Sequence, residues 1–207
     1  MGIRFTVRSA PPAPAQPTLV VADTFAAADG TPIQGRTTES GGKTWTLDST
    51  SATATPVVKG GFMTAPTGTG VRPALIDVGA TDYTLEFTLA GTPTGNAREA
   101  VGVIRSDGAG NAWYIGAGWG GIGTWAVYRT VAGSPQSTGS VRVAGTPATG
   151  DKVKAVVQGG TVTVSVNGTQ IGSPVDISAS YTSNTKVGAA VRGERADGVD
   201  NFKVTVY

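Results

Sequence analysis

The chain has 207 residues, sixteen basic and fourteen acidic side chains, a net charge of +2 and only 14% charged residues. It contains no cysteine and no histidine, which excludes disulfides, thiolate metal sites, Ser-His and Cys-His catalysis and the commonest zinc ligand. The length suits one domain with a real core. The basic residues are scattered without interleaved aromatics, so nucleic acid is not an expected partner, and no apolar run is long enough to insert in a membrane.

In chain order, "IRFTVR" alternates first, with Ile3, Phe5 and Val7 on one face and Arg4, Thr6 and Arg8 on the other. "MGIRFT" has no apolar core of a secretory signal, although Gly2 and Thr6 fit a short myristoylation pattern. "PPAPAQP" at 11–17 then places four prolines in seven residues, a stiff spacer of roughly 20 Å. Residues 1–17 therefore read as an arm and spacer ahead of a domain at 18–207. A lone strand needs a sheet edge to complete it. Ile3, Arg4, Phe5, Val7 and Arg8 dock either on their own domain or on another subunit.

After the spacer come strand signals at 18–25, 43–47, 55–59 and 72–78. "DYTLEFTLA" (82–90) is the longest clear alternation, placing Tyr83, Leu85, Phe87 and Leu89 on one face. Further strands are expected at 98–106, 111–118 and 124–131. "DKVKAVVQGGTVTVSVNGTQIG" (151–172) reads as two strands turning at Gly159-Gly160, with a second hairpin signal at Asn167-Gly168. Strands at 185–193 and 199–207 close the chain. About a dozen strands without helical periodicity imply an all-β fold, a two-sheet antiparallel jelly-roll sandwich.

"ADTFAAADGTPIQGRTTESGGKTWTL" carries Asp-x-Phe, Ala-Asp-Gly and Gly-x-x-Trp in that order, and the late hairpin and "VGAAVRGERADGVDNFKVTVY" follow it. Together they resemble the concanavalin A-like (laminin-G-like) jelly-roll domain of minor tail and virion proteins of bacteriophages infecting actinobacteria. The resemblance covers residues 20–207. It implies a virion structural protein in several copies per particle, assembled in the host cytoplasm and exposed outside. Its arm would contact other tail or capsid proteins, and its domain would face host cell-wall glycan. A capsid decoration protein and a free bacterial carbohydrate-binding module share the same logic.

The glycan site is sought in "GNAWYIGAGWGGIGTW" (110–125). Alternation sends Trp113 and Ile115 to one face and Tyr114 to the other, so Trp113 is core, as is Trp45 beside Leu47. Trp125 stays undecided. Trp119 is flanked by glycines and either stacks on a sugar or plugs the sandwich end. Asp107, Asn111 and Tyr114 lie near it in sequence and would supply hydrogen bonds.

No catalytic residues are assigned, because paired carboxylates in a glycosidase setting are missing. "ERADGVD" offers Glu194, Asp197 and Asp200 in an expected loop before the last strand, with Asp200-Asn201 capping a turn. Neither that segment nor "SDGAGN" (106–111) makes a calcium loop, so no metal and no cofactor are expected, and no enzyme.

Overall fold

The computed structural model describes residues 16–92, 99–117, 123–143 and 145–207. Among them there is no helix, only strands, turns and bends. The first eight strands are β1 (Thr18–Asp23), β2 (Thr46–Leu47), β3 (Val57–Lys59), β4 (Phe62–Thr64), β5 (Val71–Asp77), β6 (Tyr83–Gly91), β7 (Val101–Ser106) and β8 (Ala112–Ala117). The remainder are β9 (Trp125–Val131), β10 (Ser134–Val143), β11 (Lys152–Gln158), β12 (Thr161–Val166), β13 (Thr169–Gln170), β14 (Val175–Asp176), β15 (Lys186–Arg192) and β16 (Asp197–Val206).

They form two antiparallel sheets. One has nine strands, in the order β13-β12-β11-β6-β16-β4-β3 with β1 also on β16 and β14 on β12; the other has seven, in the order β10-β9-β8-β7-β15-β5-β2. This is the expected jelly-roll sandwich. The strands expected within 18–207 are present, the arm strand at residues 3–8 lies outside the described residues, and β4, β10 and β14 were not anticipated.

The core lies between the sheets, and alternation fills it. Tyr83, Leu85, Phe87 and Leu89 of β6 all point inward and are buried, as the sequence predicts. Opposite Phe87, the second sheet carries Gly102, where an added Cβ would come within 2.5 Å of the Phe87 ring. A glycine here is the hole into which the aromatic knob fits.

Trp45 and Trp113 are core residues as expected, and Trp125 joins them at 3% exposure. Trp125 and Val127 thus share the inner face of β9, and Arg129 follows them inward to bond Ser180 Oγ at 2.7 Å. The Asn167-Gly168 pair turns β12 into β13, with φ of 51° and 82°, the left-handed pair that a two-residue hairpin requires.

The opening motif is a buried polar weld. Asp23, fully buried, accepts the Phe25 N–H at 2.9 Å, the Trp45 indole N–H at 2.8 Å and the Arg36 guanidinium. The Trp45 ring then packs on Phe25 and edge-on to Phe202. So Asp-x-Phe and Gly-x-x-Trp occur together because one carboxylate holds both segments.

The "ERADGVD" expectation needs correction. Asp197 and Asp200 lie within β16 rather than in a loop. Asp197 is fully buried, and its carboxylate crosses to the other sheet to accept the N–H groups of Glu99 (2.6 Å) and Ala100 (3.0 Å). The two N–H groups are thereby satisfied by a buried acceptor. Asp200 accepts the Asn201 N–H at 2.6 Å at a bulge in β16, where Asn201 has φ of 50°.

Candidate functional site

The seven-stranded sheet is apolar on both faces. Its inner face belongs to the core. Its outer face carries a second cluster that includes Leu75, Val101, Val103, Tyr114, Ala126 and Tyr128. The register aligns Val103, Tyr114 and Tyr128 across three neighbouring strands. The two tyrosine rings meet edge to face, with centroids 5.2 Å apart and planes at 61°.

Loops close over one end of this face. Ser49 donates its N–H to Gly108 O, the Asp48 carboxylate accepts the N–H groups of Thr50 (2.9 Å) and Gly110 (3.0 Å), and Gly133 N–H bonds Gly110 O. These bonds tie the segment after β2 to the β7–β8 and β9–β10 turns. Between them and the sheet a cleft of about 430 Å³ remains, with Tyr114, Tyr128 and Val71 below and Thr50, Ser134 and Arg192 among its walls. That volume is within the usual range for small-ligand sites.

The polar groups of this cleft are unusual. Thr50 Oγ1 is buried without a hydrogen-bond partner, and so is Glu99 Oε2. Such orphans are rare in native proteins and need a reason. Arg192 bonds Glu99 Oε1 at 2.9 Å while its side chain stays 44% exposed. Glu99 therefore fixes the guanidinium and leaves further N–H donors toward solvent.

Burial pushes the Glu99 carboxyl up from its ordinary value, and Asp197 adds to this, while Arg192 and Arg195 oppose it. Burial likewise drives the Tyr114 and Tyr128 hydroxyls well above the usual phenol range, aided by Asp48 and by Tyr114 and Glu99 respectively. Both hydroxyls therefore stay neutral and can donate. The cleft presents hydroxyl edges and a fixed guanidinium, with Thr50 Oγ1 unpartnered in its wall, a set suited to a hydroxyl-rich ligand rather than to covalent chemistry.

The structure separates the residues that sequence proximity grouped. Tyr114 lies in the cleft. Asp107 and Asn111 lie behind it, in the β7–β8 turn. Asp107 accepts the N–H of Ala109 (2.6 Å) and the Asn111 side-chain amide (2.6 Å), and Asn111 in turn accepts the Ala132 N–H at 3.0 Å. Burial opposes ionisation of Asp107, but the bonds from Asn111 and the amides outweigh it and hold the carboxyl below its ordinary value. Their polar atoms are thus spent on turn structure, and Asn111 positions a wall of the cleft through Ala132.

Trp119 lies outside the described residues, as do Ile3, Arg4, Phe5, Val7 and Arg8. The chain leaves β8 at Ala117, at the opposite end from Asn111. Six strand residues, about 20 Å, separate the two ends. Tyr128, Arg192, Glu99 and Thr50 were missed. The available signal was that β7, β8 and β9 are apolar on both faces, which requires a cover or a use for the outer one.

No protein-family model matches the sequence, and a search of curated proteins finds no match. Solved structures do resemble it. Domain 4 of AbnA, an extracellular arabinanase from Geobacillus stearothermophilus solved with arabinotriose, superposes with a TM-score of 0.55 at 13% identity, covering 93% of this chain and 94% of that one. The carbohydrate-binding module CBM66 from Bacillus subtilis gives 0.52 at 16% identity over 77% of this chain and 94% of that one. The CBM2 module of the evolved Dit of Lactobacillus casei BL23 phage J-1 gives 0.50 at 10% identity over 92% and 96%. At such identities the likeness establishes the fold, a concanavalin A-like jelly roll.

Proposed function

We propose that the protein is a glycan-binding jelly roll carried on a bacteriophage virion as a minor tail protein, and that its sugar site is the tyrosine cleft. The observation that carries the reading is the buried, unpartnered Thr50 Oγ1 in the wall of a cleft that also holds two neutral tyrosines and a braced arginine. A hydroxyl-rich ligand meets these donors and acceptors at no cost in buried charge. The similar structures support the reading, since two are carbohydrate-binding modules by name and one of these comes from a phage.

The virion role rests on the sequence resemblance and that phage module, with residues 1–17 as the anchor to other virion proteins. One such site is expected to be weak, about millimolar or −4 kcal/mol. Adhesion then depends on many copies.

Retardation of the protein in gels containing arabinan, levan, xylan or galactan tests the site. At least one should retard the wild-type protein and not Arg192→Ala. A protein that none of them retards, or an Arg192→Ala variant retarded like wild type, defeats the cleft. Mass spectrometry of purified particles tests the virion role. The full chain should be incorporated and a chain lacking residues 1–17 should not.

A further inference from the structure

Past Arg192 the chain leads from the tyrosine cleft to a second one. This cleft, of about 440 Å³, is lined by Glu194, Arg195 and Ala196 of the turn between β15 and β16, and by the half-buried Phe62. Phe62 sits on β4 with its ring resting on bare backbone. A Cβ added at Gly198 would lie 2.5 Å from the ring, at Gly91 3.0 Å and at Gly60 3.3 Å. Side chains at those three positions would lift the ring away. Without them it lies against the sheet and turns its remaining surface to the cleft.

Two chain segments serve both clefts. Thr64 and Pro66 line the Phe62 cleft, while Thr69 and Val71, a few residues on, line the tyrosine cleft. Arg192 lines the tyrosine cleft, while Glu194 and Arg195 line the other. Their charges are joined as well, because Glu99 bonds Arg192 at 2.9 Å with one oxygen and faces Arg195 Nε at 3.9 Å with the other.

We propose that the Phe62 cleft is a second subsite and that the ligand is a chain of neutral sugar units running from the tyrosine cleft across the Arg192–Arg195 turn onto Phe62. This rests on the glycan-binding reading above. The rim of the Phe62 cleft carries both signs of charge, Lys59 and Arg195 against Asp29 and Glu194. A polyanion would meet two carboxylates and a basic peptide two cations, each repelled in part. A neutral polyol accepts hydrogen bonds from the two cations and donates them to the two carboxylates, while its apolar ring face rests on Phe62. Two clefts on neighbouring stretches of the same segments exceed what one or two sugar units occupy.

The experiment compares di- and hexasaccharide fragments of whichever of arabinan, levan, xylan or galactan retards the wild-type protein, by titration calorimetry. Wild type should bind the hexasaccharide about tenfold more tightly than the disaccharide, a difference of the size one added contact supplies. Phe62→Ala should lose that gain and leave disaccharide binding unchanged. Phe62→Leu keeps an apolar side chain on the glycines and controls for folding, and it should also lose most of the gain.

Equal affinity of wild type for both fragments, or a hexasaccharide affinity unchanged in both variants, overturns the second subsite while leaving the tyrosine cleft standing. If no polysaccharide retards the wild-type protein, both readings fall together.

Discussion

The two sheets share one core but differ on their outer faces. On the nine-stranded sheet the outer positions are Thr84, Glu86 and Thr88 of β6, Lys152 and Lys154 of β11, and Lys203 of β16. The register sets Lys154 and Lys203 on either side of Glu86, which pairs with Lys203 at 3.3 Å. On the seven-stranded sheet the outer positions hold Leu75, Val103, Tyr114 and Tyr128, nearly as buried as the core. Water satisfies the first face. The second is covered by loops held through Asp48 and Asn111, and the cover leaves a cleft. Within one sandwich, then, the face that fails to alternate is the one that carries the candidate site.

The largest effect should come from treating the covered face as core. Phe87→Ala, between the sheets, is expected to lose about 3–5 kcal/mol, and Leu75→Ala, on the covered face, about 2–5 kcal/mol, measured by denaturant unfolding. A Leu75→Ala loss below about 1 kcal/mol would mean that the loops are only a loose flap and that the contrast between the faces is overdrawn.

Next in size is binding. Arg192→Ala should weaken glycan binding at least about tenfold and leave the melting temperature nearly unchanged, because the side chain is 44% exposed. A large fall in melting temperature would make Arg192 structural.

A smaller effect separates the welded opening segment from both faces. Glu39 accepts hydrogen bonds from Thr24 Oγ1 (2.7 Å), Thr24 N–H and Ala26 N–H, and lies beside Arg36. Burial alone would raise its pKa, but these partners pull it from the ordinary 4.5 to about 2. Between those values the unfolded chain binds the proton and the folded chain does not. The stability that Glu39 supplies is therefore complete above pH 4.5 and is lost as the pH falls toward 2. Glu39→Gln should flatten the acid limb of the stability curve in that window, and an unchanged limb would exclude the segment as the acid-sensitive part.

The smallest effect belongs to the hydrated face. Lys154→Ala should change stability by no more than about 0.5 kcal/mol and leave glycan binding as it was. A loss of binding here would move the site to the other sheet.

Much of this was legible because period-2 alternation reports which face is buried. The inward sides of Phe87 and Trp113, the Asn167-Gly168 turn and the sandwich itself follow from it. β10 was hidden because "SPQSTGSVRV" is polar and lacks alternation, and among the described residues β9 alone pairs with it. Arg105 was hidden for another reason. A positive φ of 49° at a bulge turns it inward, where it donates to Thr81 O and Thr182 O, and nothing in "GVIRS" marks that reversal. The site escaped because its parts come from five separate stretches. Nearness along the chain grouped Asp107 and Asn111 with Tyr114, whereas the polar atoms of Asp107 and Asn111 are used within the β7–β8 turn.

The first and last strands have a mechanical consequence. Among the described residues β1 pairs along its length with β16, with one further bridge from Ala22 to Ser40, and Thr18 lies opposite Val206. A domain held through the residues before Thr18 and pulled from the Arg192 region loads that strand pair first, at Thr18. Force along β1 stretches its ladder bonds together, whereas force across it breaks them one after another from Thr18. The direction of the pull therefore sets how long the domain stays folded under tension.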